Sequence, residues 1–440
     1  MVLSHEAIVF TLKRIADVAF PKKDCCVVFD DVPMLVVDKE ITVRFMPVDD
    51  SAVDCMFSGK ACFSNVKSFD DKVTVKVFSQ EKDRGLFSME DKVVNVHFDM
   101  ITISFLMLSR FEETLVSRRD KYGRFRYDDS LCFKYECVDI PIVDEYAMLL
   151  RKFVSDNFPG FVVERRVSVF KPTHDVDFLF RFPNFPKAIK TIAGDLFKRK
   201  SLTTSWKSFV AYIKSLRDFR EDPYVWAVLE LAKVSEDFKL DACFYFKSQL
   251  PDDKDCSYNI FSRNSQSCIK YLLSRGIRVG LHGSFESFSD KSLLIKEKNN
   301  LESVCGQNVA DGRQHFLRFD VDKTTQVWQA CDIRHDSTMG FPEREGFRCG
   351  TCHPYPLFDI VNNCELQVVE HPLIVMDTTL FQYREMTEKE ALGKICQLYD
   401  RCLSVEGDFV MLWHNTTMFG ELKSWHKNVY MKFLQDLHRF

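Results

Sequence analysis

The stretch FKPTHDVDF, residues 170–178, decides how this 440-residue chain is read. It closes a β-prone run, FVVERRVSVF (161–170), and Pro172 is expected to end that run's pairing as a central strand. His174, Asp175 and Asp177 then fall within four residues, at the end of an apolar segment where charge is expensive to bury. A salt-bridged turn is one reading. The other is a strand that delivers carboxylates to a reaction centre.

The residues on either side favour the second reading. From about 161 onward, strand-like runs (RVSVF, DACFYF, RVGLH, QHFLRF, LIVMD, DFVMLWH) alternate with helical patterns such as SWKSFVAYIKSLR and EKEALGKICQLYDRCLSV. That rhythm predicts a parallel α/β sheet or barrel, and such folds collect chemistry beyond the carboxyl ends of their strands. Four of the runs end in His or Asp: Asp175 and Asp177, His282, Asp377 and His414. Asp175 and Asp177 are two apart, so an extended backbone points both to one side, where they repel unless a cation or a shared proton lies between them. A metal on Asp177 would leave Asp175 free as a base. His282 is the nitrogen donor, and Glu286 shares its face if 282–286 form a helical turn. This hard N/O set suits zinc, manganese or a similar divalent ion.

Composition narrows the rest. A formal net charge of −4 with interleaved signs argues against a dedicated nucleic-acid surface. The longest apolar stretch, MITISFLMLS (100–109), is too short to span a bilayer. The N-terminus lacks the apolar core of a signal peptide, so a cytoplasmic location is expected, with the sixteen cysteines as reduced thiols. CGTC (349–352) has no second pair to make a zinc ribbon and reads as structural. Residues 1–160 read as a smaller mixed α/β domain and 161–440 as the domain that carries the chemistry. In the first, SRFEE (109–113) reads as a solvated helix end with ion pairs, with anion binding as the alternative.

These motifs resemble the polysaccharide deacetylase superfamily, the NodB-homology or carbohydrate esterase family 4 group. THDVD is similar to its first motif, LHGSFES to its second and LWHN to its last. RQHFLRF, RHDSTMGF and GFRCGTCHPY resemble segments of a divergent branch whose N-terminal domain has no known function. The resemblance implies a distorted (β/α) barrel in the C-terminal domain. It implies a metal-dependent hydrolase that removes N-acetyl or related acyl groups from a sugar or polysaccharide precursor. Carried over residue by residue, Asp175 is the base, Asp177 and His282 are metal ligands and His414 is the acid. Arg313 orients the base, with Arg348 as the alternative. Glu286 stands where the family has a second metal histidine, and this departure motivates a rival reading, a silent carbohydrate-binding or assembly module. Trp413, Arg348 and Tyr355 are the substrate-binding candidates. His174 is expected to support the site by hydrogen bonding, and His315, His335 and His371 read as structural. A carbohydrate or sugar-linked substrate is the implied partner, with zinc the first choice of cofactor. The oligomeric state is left open.

Overall fold

The computed structural model describes residues 3–46, 56–57, 63–78, 85–250, 255–418 and 424–437. Two sheets organise it. The first pairs Cys25–Phe29, Pro33–Val37, Ile41–Phe45, Val93–Val96 and Phe87–Glu90 in that order, and a separate hairpin joins Phe63–Lys67 to Thr74–Phe78. Alternation sets its inner face: Leu35, Val37, Ile41, Val43 and Phe45 are buried while Arg44 is exposed. The helix Met100–Ser109 is buried at all ten positions, so its apolar run is a core helix.

The second sheet is a curled, nine-stranded half-barrel. Its order is Tyr355–Asp359, Cys364–Glu370, His335–Asp336, Asp311–Gln314, Arg278–Gly283, Cys243–Phe246, Phe170–Val176, Phe409–Leu412 and Leu373–Met376. Every neighbouring pair is parallel except the hairpin of the first two strands. Its central strands are buried on both faces, as the continuous apolar runs require. One continuous set of buried apolar residues joins both sheets. No helix of the described residues is long and apolar enough to cross a membrane, and the fourteen described cysteines are all free thiols.

Three readings are corrected. The strand is Phe170–Val176 and runs through Pro172, whereas the β-prone residues 161–169 form no regular structure. Val169 and Thr173 carbonyls accept from Phe409 and Trp413, so odd-numbered residues serve that neighbour. The proline's missing N–H therefore faces the other side, where pairing with Cys243–Phe246 begins only at Thr173. The run QHFLRF is not a strand, because the strand there ends at Gln314 and a 3₁₀ turn follows. SRFEE is not solvated. Arg110 and Glu112 are fully buried, and Arg110 ion-pairs with both glutamates.

Candidate metal centre and catalytic groups

Six parallel strands end around one cavity of about 630 Å³, whose walls include Asp175, Asp177, Lys247, His282, His315 and His414. That volume is within the range of small-molecule sites. Asp177 follows Phe170–Val176, Lys247 follows Cys243–Phe246, and His282 is near the end of Arg278–Gly283. Gly283 permits this close packing, since a Cβ there would meet Gln314 Oε1 at 2.5 Å. His315 leaves the next strand at a sharp turn, where Phe316 and Leu317 adopt φ of 61° and 55°. Two successive non-glycine residues in the left-handed region are strained, and such strain is held where a tightly packed surround imposes it.

Asp177, His282 and His315 converge, with one donor atom from each lying within 4.8 Å of the others. His282 Nδ1 is 3.0 Å from the Arg313 carbonyl, which can only accept, so Nδ1 carries the proton. In the neutral ring Nε2 then presents a lone pair to Asp177 Oδ1 at 3.2 Å. Both atoms are buried without a hydrogen-bond partner. A ring lone pair facing a carboxylate needs a cation nearby, and the space these two atoms share with His315 is one a divalent ion fits. His315 repeats the arrangement: Nδ1 meets Asp255 Oδ1, and Nε2 lies 3.3 Å from Asp177 Oδ1. A carboxylate behind a ligand histidine fixes its tautomer and ring orientation.

Lys247 complicates the charge balance. Its ammonium is buried, 3.2 Å from Asp177 Oδ1, 3.1 Å from Asp255 Oδ1 and 3.0 Å from both ring nitrogens of His315. Burial would raise the pKa of Asp177, but Lys247 first, then His315, hold it well below the usual carboxylate range. Burial would lower the pKa of His315, and Asp177 with Asp255 raises it instead.

The flanking groups lie on either side of Asp177. Asp175 Oδ2 is 3.7 Å from His282 Nε2, and its Oδ1 is 3.4 Å from Arg313 Nη1. Arg313 is fully buried and anchored by Nη2 donating to Thr173 and Ser337, each at 2.9 Å. His414 Nε2 is 3.6 Å from Asp177 Oδ2, while its Nδ1 is 2.7 Å from the buried Asp377. Burial would lower the pKa of His414, but Asp377 raises it to about 9. Asp377 is itself fixed by donation from the His414 backbone N–H at 2.9 Å and the Thr417 hydroxyl at 2.8 Å.

Not every sequence candidate reaches this cluster. Glu286 points outward, its side chain 72% exposed and paired with Arg318. The strand continues through Gly283, so no helical turn starts at His282, and His315 occupies the place expected of Glu286. Arg348 is buried against Glu113 with two 2.8 Å contacts. Tyr355 lies on the hairpin side of the sheet, donating its hydroxyl to the Leu108 carbonyl at 2.9 Å. Trp413 alternates away from His414 and is fully buried against Phe381 and Tyr430. His174 donates from Nδ1 to the Trp413 carbonyl, and burial lowers its pKa to about 4, so it is neutral. Sequence reading missed His315, Lys247 and Asp255. The available signal for His315 was its position two residues beyond Arg313 on the same strand path.

A family of unknown function, DUF7033, matches residues 38–159. No curated protein matches the chain. Among solved structures, one similar chain is a Mycobacterium smegmatis protein assigned to the polysaccharide deacetylases. It is 14% identical with a TM-score of 0.39, over 62% of this chain and 85% of that one. Another is a mutant of BA3943, described as a CE4-family pseudoenzyme with restored enzymatic activity. It is 10% identical with a TM-score of 0.27, over 61% of this chain and 65% of that one.

Proposed function

We propose that this protein is a metal-dependent hydrolase of the deacetylase type, acting on an N-acetylated sugar or sugar-linked precursor. The carrying observation is the convergence of Asp177, His282 and His315, with His282 Nε2 buried without a hydrogen-bond partner and facing Asp177 Oδ1 at 3.2 Å. Asp177, His282 and His315 would hold one divalent ion, and their N/O donor set suits zinc. When bound, such an ion supplies Lewis acidity toward an acetyl carbonyl.

The chain's own residues supply the proton transfers. Asp175, positioned by Arg313, takes a proton from the attacking water. His414, protonated at neutral pH because Asp377 raises its pKa to about 9, gives a proton to the departing amine. Asp377 holds the imidazole so that Nε2 carries the transferable proton toward the cavity. Phe316, stacked on Tyr122 at 4.8 Å and lining the cavity, offers the aromatic floor that Trp413 does not. Tyr122 comes from residues 1–160, which we take as a separate unit that completes the cavity wall. A cytoplasmic location would make nucleotide-linked or lipid-linked sugars the accessible substrates.

One observation favours a second reading, the silent carbohydrate-binding module. Lys247 already places a positive charge on Asp177 and His315, in the manner of a resident counterion. Metal analysis of the purified protein, with acetate release from N-acetylated sugar oligomers before and after chelation, separates the two. Bound metal and chelator-sensitive release are expected for the hydrolase. Saturable sugar binding with neither metal nor release would leave the silent module.

A further inference from the structure

The helices Phe185–Phe197 and Leu202–Arg217 pack against each other as a hairpin that is apolar on the outside. Its buried positions are Ala188, Asp195, Ser205 and Ser208, and its large apolar side chains face outward. The second helix carries Leu202, Trp206, Phe209, Ile213 and Leu216 in one stripe, at helical spacing, with exposures of 78, 66, 43, 39 and 65%. Small residues and hydrogen bonds hold the two helices together. Ser205 donates to the Ile192 carbonyl at 3.0 Å and Ser208 to Asp195 at 2.5 Å. None of the described residues covers the outward stripe, which is larger than the scattered apolar residues of an ordinary surface.

Charge identifies the occupant. Residues 185–217 contain eight Lys or Arg and a single acid, Asp195, which is buried and paired with Arg181 and Arg199. At the tip, Lys198, Arg199 and Lys200 lie between Phe197 and Leu202, which are 75% and 78% exposed. A second copy of this surface would meet it with the same excess of positive charge. An anionic bilayer would not, since its acyl boundary accepts the apolar stripe and its headgroups neutralise the cations. We propose that this hairpin docks the protein on the surface of an anionic membrane, lying in the interface without crossing it. Arg199 and Thr204 also line the cavity, so the docked surface and the cavity mouth adjoin. One consequence rests on the deacetylase reading: an acetylated sugar carried on a lipid would enter from the membrane side.

The test is co-sedimentation of the full chain with vesicles of phosphatidylcholine containing phosphatidylglycerol, against vesicles of phosphatidylcholine alone. Pelleting with the anionic vesicles is expected to exceed that with the neutral ones by about tenfold. Lys198→Glu with Lys200→Glu should abolish that preference. Leu202→Ser with Trp206→Ser should release the protein while its melting temperature holds, because both side chains are exposed. Asp177→Ala should pellet as the wild type does, so loss of the catalytic reading leaves this one standing. Equal pelleting of all variants, or none by the wild type, would overturn the proposal. So would a dimer in sedimentation velocity that Trp206→Asp dissolves, since the stripe would then belong to a second copy.

Discussion

Arg110, Glu112, Glu113 and Arg348 form one buried ionic network, and Asp177, His282, His315, Lys247 and Asp255 form another. The first joins the N-terminal half to the segment GFRCG. There Glu113 accepts from both arginines, and Glu112 accepts from Arg110 and from the Leu131 backbone N–H at 2.7 Å. Arg348 spends its remaining donor on the Gly340 carbonyl at 3.0 Å. In the second network His282 Nε2 is buried without a hydrogen-bond partner and faces Asp177 Oδ1 at 3.2 Å, while the Lys247 ammonium lies at the same distance from that oxygen. A network whose polar atoms are all engaged holds the fold, whereas one that keeps buried lone pairs unpaired is arranged for something that arrives.

The largest expected effect lies in the first network. Glu113→Ala leaves two buried guanidiniums without their shared carboxylate and should lower unfolding stability by about 3–5 kcal/mol. Urea denaturation in chelator measures it. Asp177→Ala under the same conditions should cost less, because Lys247 keeps Asp255 as a partner. Equal losses from the two variants would erase the contrast between the networks.

Metal affinity gives the next contrast. His315→Ala should weaken zinc binding by more than the roughly 10–100-fold typical of outer-shell changes. Asp255→Asn should fall inside that range, because it acts through the His315 ring. Glu286→Ala should stay within about twofold, as for an exposed surface substitution. Titration calorimetry on the three variants orders them, and a large effect from Glu286 would return that residue to the site.

His414, the proposed proton donor, can be probed without any substrate. His414 has its pKa raised to about 9 by Asp377, so the pair contributes stability fully below about pH 6.5. That contribution is lost as pH rises through 9. In Asp377→Asn burial is opposed only by the smaller pull of Asp177 and Asp175, so the His414 midpoint should fall well below 9, read by NMR titration of the imidazole. An unmoved midpoint would mean that Asp377 does not control this histidine.

Much of the half-barrel was readable because buried parallel strands are short apolar runs with polar groups at their carboxyl ends. That placed Asp175, Asp177, His282, Asp377 and His414 at strand ends, whereas Arg313 came from the family resemblance alone. His315 stayed hidden because QHFLRF reads as a continuing strand, and only the positive φ at Phe316 and Leu317 breaks it. Pro172 misled in the opposite sense, since its tolerance depends on where the neighbouring strand begins, a fact of tertiary register. The edge strand Tyr355–Asp359 and its neighbour Cys364–Glu370 were missed, the first because it carries Pro356 and the second because its alternation is weak. Lys247 directly follows the strand Cys243–Phe246 and Asp255 lies eight positions further on, where no periodicity marks either as a site residue.

Lys247 sets the two functional readings against each other through one substitution. Its ammonium lies 3.2 Å from Asp177 Oδ1 and 3.0 Å from the His315 ring, so a divalent ion shared by those ligands would meet a like charge nearby. Two unit charges ~4 Å apart in water interact by about 1 kcal/mol, and a divalent ion doubles that, so even strong screening leaves about a tenfold penalty. Lys247→Met keeps the length and apolar stem of the side chain and removes the charge. For a working metal centre, the wild type already binds zinc and the variant should bind it about tenfold more tightly. For the silent module, the wild type should bind none and the variant should acquire a site. Weaker binding in Lys247→Met would contradict both, and would mean that the ammonium holds Asp255 and His315 in the geometry the metal needs.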